Sequence, residues 1–297
     1  MSNNALPVVV GVDGSQSALR AARWAGAVAN ASASPLHVVH AEPYFGRNWS
    51  DAGAAIRAAE ISEQRDSATA ILAAAQEAVR SDFGGLTIHT EDVAEPVKIA
   101  LIRLSRRARL VVLGCDEVTP SGALLLGSTT LDVASRALCP VVAWRGDATA
   151  PTPQPLVVGV DGSPSSGAAL ATAFTLANLF RAPLRVVHCW STLVALDEAI
   201  APFLTEGSEL EAAERRAVSD AVAVWCRRYP DVEVATFVEP NKASRALLEH
   251  ATDAQLVVVG TRGRNALMGS LFGSTSLNVL HHSRIPVVLC RDGDEHS

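Results

Sequence analysis

The sequence predicts two tandem α/β domains, each a doubly wound sheet of five parallel strands, and three observations lead there. The chain repeats itself, in order, over its two halves. Within each half, short β-branched runs alternate with longer Ala-, Leu- and Arg-rich stretches, the pattern of strand and helix in turn. The short runs are apolar throughout rather than alternating, as strands are when helices cover a parallel sheet on both faces.

The repeat dominates every other feature. VVVGVDGS at 8–15 returns as LVVGVDGS at 156–163, and PLHVVHAE at 35–42 returns as PLRVVHCW at 183–190. ARLVVLG at 108–114 is matched by AQLVVVG at 254–260, LLLGSTTLDV at 124–133 by SLFGSTSLNV at 270–279, and CPVVAWR at 139–145 by IPVVLCR at 285–291. Between the copies, GDATAPTPQP at 146–155 carries three prolines and no apolar periodicity, which marks a linker. The domains are therefore read as 1–145 and 156–297.

Taken in order, the first half offers strands over 8–13, 36–41, 86–91, 110–114 and 140–144. After the first strand, Ser15 or Ser163 caps a helix, and Pro164 suits the first helical position, where no N–H is needed. Ala18, Ala21, Ala25 and Val28 recur at helical spacing as its buried stripe. The second helices are long, Ala52–Arg80 and Glu209–Arg228, and are ended by Gly84–Gly85 and Pro230. A fifth strand closes each domain with an apolar edge that calls for cover, Val141–Trp144 in the first and Val287–Cys290 in the second.

Composition removes several function classes. With 48% apolar and 19% charged residues among 297, the chain can fill two cores and lacks the signature of disorder. The balance of 25 Lys and Arg against 31 Asp and Glu, net −6, argues against broad binding of nucleic acid or a membrane surface. Lys98 and Lys242 are the only lysines and neither follows a glycine, which excludes a GxxxxGK[ST] phosphate loop. MSNNALPVVV has no basic stretch before its short apolar run, and 18 apolar residues nowhere run together, so the expected location is cytoplasmic. Cys115, Cys139, Cys189, Cys226 and Cys290 are widely spaced without a CxxC pair and are expected to be reduced and mostly buried. His281 and His282 are adjacent on a helix, point about 100° apart and do not share a metal easily. Trp24 and Trp225 read as packing. No G-x-S-x-G elbow or paired carboxylates stand on matching strand ends, so hydrolytic chemistry has no residues to carry it.

Ligands of open parallel sheets bind outside the carboxyl ends of the strands, where strand order reverses. Two features fall there. GVDGS places Asp13 or Asp161 at the end of the first strand, where a carboxylate either accepts a hydrogen bond from a ligand or starts a turn. After the fourth strand of the second half come Gly260-Thr261-Arg262-Gly263, nine residues, then Gly273-Ser274-Thr275 opening a helix. Glycines there permit positive φ and close approach, and free N–H groups and hydroxyls at the helix start form an anion site. Arg262 and Arg264 either add charge to a bound phosphate chain or are solvated loop cations.

GVDGS, VVHC, VVVG, the GxxG with its nine-residue gap, GST and IPVVL, recurring in order across both halves, resemble the universal stress protein family. Its ATP-binding branch has the signature G-x2-G-x9-G-[ST], matched by Gly260, Gly263, Gly273 and Ser274. The resemblance implies a Rossmann-like fold, ATP, with or without magnesium, bound in each domain, and pairing of the two domains within the chain through Val141–Trp144 and Val287–Cys290, with a homodimer as a further step. It places Gly159, Asp161, Cys189, Val259 and Thr275 at further contact positions of the second site, and Gly11, Asp13, Ala41, Gly114, Gly127, Ser128 and Thr129 at those of the first. The first half departs from the signature, because Glu117, preceded by Asp116, replaces the second glycine. One like-charge pair 4 Å apart costs roughly 4 kcal/mol at an effective dielectric near 20, or about three decades of affinity. The first site is therefore expected to be degenerate unless a cation neutralises it.

The function expected from the resemblance is nucleotide sensing or regulation in a stress response, with ATP as ligand and little or no catalysis. The rivals are a slow ATPase or nucleotide-transferring enzyme of related fold, which needs a positioned base or metal residue, and a structural protein with empty pockets. No metal site is expected.

Overall fold

The computed structural model describes residues 5–41, 54–115, 128–190, 204–263 and 272–292. They form two compact units that divide at Pro151 and Thr152, inside the proline-bearing segment 146–155.

The first unit runs β1 (Val8–Gly11), α1 (Gln16–Ala31), β2 (Leu36–Ala41), α2 (Ala54–Asp82), β3 (Ile88–Val93), α3 (Val97–Ser105), β4 (Leu110–Gly114), α4 (Ser128–Arg136) and β5 (Val141–Trp144). Its strands lie in the order β3-β2-β1-β4-β5, every pair parallel. The second unit repeats this as β6 (Leu156–Val160), α5 (Pro164–Phe180), β7 (Leu184–Cys189), α6 (Leu204–Arg228), β8 (Val234–Glu239), α7 (Ala243–His250), β9 (Leu256–Gly260), α8 (Ser274–His282) and β10 (Val287–Cys290). Its order is β8-β7-β6-β9-β10, again parallel throughout. Each unit is thus the doubly wound α/β sheet that the alternation of runs predicts.

The central strands are buried on both faces, which is why they lack alternation: Val8, Val9 and Val10 are at most 1% exposed. α1 starts where Ser15 accepts from the Ala18 N–H at 3.1 Å. Ala18, Ala21, Ala25 and Val28 make its inner face, none above 3% exposed. Small residues on this helix let α2 approach: a Cβ on Gly26 would stand 2.6 Å from Val79 Cγ1. Trp24 is buried, and Trp225 stacks at 6.2 Å on the fully buried Phe174, so both tryptophans pack.

Boundaries shift where local bonds outrank the hydrophobic run. β1 ends at Gly11, short of 13, because the chain turns through Gly14 at φ +85°. β3 begins at Ile88 rather than 86, because Leu86 closes a turn onto the Phe83 carbonyl at 3.1 Å. α2 continues to Asp82 and α6 starts at Leu204. All five cysteines are free thiols, but only Cys115 and Cys290 are buried. The expectation of mostly buried cysteines is corrected: Cys139, Cys189 and Cys226 are half-buried, standing before a strand, at a strand end and in the last turns of α6. Among the described residues no helix is long and apolar enough to cross a membrane.

Candidate functional site

In the second unit strand order reverses between the neighbours β6 and β9, since α5 leads from β6 to one side of the sheet and α8 leads from β9 to the other. Such a point, beyond the carboxyl ends of the strands, forms the crevice in which open parallel sheets bind their ligands. Asp161 follows β6 and turns the chain toward α5 through Gly162 at φ +77°, a left-handed conformation suited to glycine. Its Oδ1 accepts from the Ser163 N–H at 2.9 Å and from the Ser163 hydroxyl at 2.6 Å. Ser163 in turn caps α5, accepting from the Ser166 N–H at 3.2 Å, and Pro164 occupies the first turn.

Across the crevice, β9 ends at Gly260 and the chain passes through Thr261, Arg262 and Gly263. Thr261 is only 1% exposed. Its N–H donates to the Cys290 carbonyl at 2.8 Å, while its carbonyl accepts from the Gly273 N–H at 2.8 Å and the Ser276 hydroxyl at 3.1 Å. These bonds draw the start of α8 against the end of β9. Gly273 is the cap residue of α8 and has no side chain to offer its first turn, whose N–H groups lie at the positive end of the helix dipole.

The two sequence features meet here. A Cβ on Gly263 would stand 2.8 Å from Asp161 Oδ2, and one on Gly273 would stand 3.4 Å from the Gly263 nitrogen. Ser274 is exposed and Thr275 half-buried on the first turn of α8, and the Arg262 side chain is exposed beside them. The remaining positions serve packing in this structure. A Cβ on Gly260 would stand 2.8 Å from the Ser165 carbonyl carbon, one on Gly159 would stand 3.0 Å from Leu247 Cδ1, and Val259 is 3% exposed. Cys189 ends β7, its thiol pushed up to about 11 by burial and then by the Glu239 carboxylate. Arg264 lies outside the described residues. The expectation that these glycines supply positive φ is corrected: among the described glycines only Gly14, Gly146 and Gly162 have it. Gly260 and Gly263 are small because backbone and a carboxylate stand where a Cβ would go, whereas a Cβ on Gly273 would make only ordinary contact.

The two helix caps differ in consequence. Ser15→Ala removes a cap, whereas Ser163→Ala also leaves Asp161 without its hydroxyl donor at 2.6 Å. We expect losses of about 1 kcal/mol for the first and about 2–3 kcal/mol for the second in urea unfolding, and equal losses would show that the Asp161 bond adds nothing.

In the first unit Asp13 is exposed and its Oδ1 accepts from the Ser15 N–H at 2.9 Å. A Cβ on Gly11 would meet Leu113 Cδ2 at 2.8 Å, and one on Gly114 would meet the Ala18 nitrogen at 2.7 Å. Ala41 ends β2, and Ser128 and Thr129 open α4. Asp116, Glu117 and Gly127 lie outside the described residues.

Sequence reading passed over three groups near the second crevice. Ser165 and Ser276 reach the loop by hydroxyl bonds to the Arg262 and Thr261 carbonyls. His188, 2% exposed, places Nδ1 2.8 Å from the Val160 carbonyl and Nε2 3.0 Å from Glu214 Oε2, tying the end of β6 to α6. Its counterpart His40 turns instead to Asp92 at 2.9 Å. The recurring VVH string was the available signal, read only as strand. No group of three metal-ligating side chains occurs among the described residues, and His281 and His282 sit in the last turn of α8.

Comparison with known proteins now places the molecule. A profile of the universal stress protein family matches residues 6–145 and again 153–291. A universal stress protein of Mycobacterium tuberculosis is 36% identical over 302 residues, with 96% of each chain covered. One from Mycolicibacterium smegmatis is 35% identical over 289 residues, also at 96% of each. In fold, the chain is similar to the crystal structure of a universal stress protein from Archaeoglobus fulgidus, with TM-score 0.72, 18% identity and 98% of each chain covered. The repeated motifs, the twofold profile match and full-length relatives above 30% identity together establish that this chain belongs to the universal stress protein family and carries two of its domains in tandem.

Proposed function

We propose that the second domain binds ATP and that the protein acts as a nucleotide-responsive regulator with little or no turnover. The observation that carries this reading is the convergence of Gly263, Gly273 and the uncapped first turn of α8 at the strand-order reversal, where backbone N–H groups suit a phosphate chain. Arg262, exposed beside the loop, adds charge for the same ligand. Ligand hydroxyl or amino groups would donate to the Asp161 carboxylate, whose Oδ1 also accepts from Ser163. Turnover needs a positioned base, and the carboxylate that the described residues place against Gly263, Asp161, accepts two hydrogen bonds from Ser163.

Mass spectrometry of small molecules released from freshly purified protein tests the reading. Retained ATP supports it, retained ADP or another product favours an enzyme, and an empty chain that also fails to bind added ATP in calorimetry overturns it. The titration is expected to give one tight site per chain, because Asp116 and Glu117 stand at the positions of Arg262 and Gly263 in the other copy. Asp116→Ala combined with Glu117→Gly should strengthen the weak site. Two equivalent sites in the unmodified chain would show that those carboxylates do not oppose phosphate.

A further inference from the structure

We propose that Ser165 is a positioning residue of the second site: its hydroxyl holds the Arg262–Gly263 peptide so that the Gly263 N–H faces the phosphate group of a bound nucleotide. The inference rests on the ATP-binding reading and names the residue that makes the loop competent for it.

Ser165 is 4% exposed on the first turn of α5. Its backbone is seated against β9, since a Cβ on Gly260 would stand 2.8 Å from the Ser165 carbonyl carbon and 2.9 Å from its oxygen. From this fixed place its hydroxyl donates to the Arg262 carbonyl, a residue 97 positions away. Ser163 Oγ lies 3.3 Å from the same carbonyl but only 2.6 Å from Asp161 Oδ1. Ser163 has one proton, and the shorter bond to a charged acceptor claims it. Ser165 is therefore the donor that the Arg262 carbonyl depends on.

The consequence follows from peptide geometry. No cis peptide occurs, so the carbonyl of Arg262 and the N–H of Gly263 lie in one plane and point in opposite directions. With the carbonyl held toward α5, the N–H is turned away from α5, on the side where Gly273 opens α8. It joins the first-turn N–H groups of that helix in one anion cradle. Without the hydroxyl, the Arg262 carbonyl keeps only the 3.3 Å approach of Ser163 Oγ, whose proton Asp161 claims, and Gly263 offers little steric resistance to rotation of the peptide. The rotated peptide would present a carbonyl oxygen to phosphate in place of an N–H. Ser165 acts through the loop, and no contact of its own with the ligand is needed. In the first unit Ser17 stands in the same place, 3.0 Å from Ser15 Oγ and with its backbone against Gly114.

The test is calorimetry of the full chain and of Ser165→Ala with two probes, ATP and adenosine. The expected result is an ATP affinity about tenfold weaker with adenosine affinity within about twofold of the parent, since only the phosphate-bearing probe uses the loop. Unchanged ATP affinity overturns the inference, and so does an equal loss for both probes, which is what general loosening of the domain would give. Ser165→Cys keeps the size of the side chain with a weaker donor, and stands in if the alanine variant does not fold. An intermediate, ATP-selective loss supports the inference, and a parental ratio of ATP to adenosine affinity overturns it. A parent chain that binds neither probe, or binds both equally, overturns the ATP reading itself, a result distinct from failure of Ser165 alone.

Discussion

Gly263→Glu is expected to lose at least about a hundredfold in ATP affinity while keeping its fold. A Cβ at this position would stand 2.8 Å from Asp161 Oδ2, so the carboxylate must shift against its bonds to Ser163, an adjustment of one side chain rather than of packed backbone. The backbone at Gly263 has negative φ, so a side chain brings no conformational strain of its own. What the substitution adds is a carboxylate beside another carboxylate, at the mouth of the proposed phosphate cradle. Like charges about 4 Å apart oppose one another by roughly 4 kcal/mol at an effective dielectric near 20, so a loss of two to three decades is the expected scale. The substitution also reproduces in the second domain the glutamate that Glu117 already places in the first. Circular dichroism and calorimetry check it together. An unchanged spectrum with undiminished ATP binding would mean that the loop does not hold phosphate.

Gly260→Val is expected to have the opposite phenotype, destabilising the second domain by about 3 kcal/mol or more. The distances resemble those at Gly263, but the atoms they reach are different. A Cβ here would meet the Ser165 carbonyl carbon at 2.8 Å and its oxygen at 2.9 Å, and that backbone belongs to α5, packed on the sheet along much of its length. Neither partner can turn aside, so β9 and α5 must separate and give up packing around Ala169, Ala173 and Phe174, none of which is exposed. Gly114→Val tests the same contact in the first domain, where the Ser17 carbonyl carbon stands at 2.7 Å. Thermal and urea unfolding measure the effect. A Gly260→Val protein with an unchanged midpoint would show that the close approach of strand and helix is not required. Two glycines of one sequence signature thus do different work, one making room for the Asp161 carboxylate and the other letting backbone meet backbone.

Much of the site's framework was legible because it is local in the chain. Ser15 and Ser163 are caps three residues before their N–H donors, and Pro164 needs only its own geometry. The alanine stripe of α1 shows itself by helical spacing alone. The starts of α3 and α7 carry no such signal: Pro96 and Lys242 precede them, and neither makes a side-chain cap. The second-strand histidines were legible as residues but not as partners. Asp92 stands beside His40 in register and takes its ring, whereas Val238 occupies that place beside His188, which reaches Glu214 on α6 instead.

By itself, the sequence determined the family, the duplication, the parallel α/β plan and the place along the chain of the glycine loop between β9 and α8. Periodicity, capping chemistry and repeated motifs are properties of residues near one another in sequence, and they survive without coordinates. Only the tertiary structure decided what each loop residue does. Asp161 and Gly263 lie about a hundred residues apart, as do Ser165 and Arg262, and they meet because β6 and β9 are neighbours in the sheet with α5 pressed on Gly260. The helix–strand distance sets which carbonyl a hydroxyl can reach and which glycine tolerates a side chain. That distance comes from the packing of the whole domain, which no local run of residues encodes.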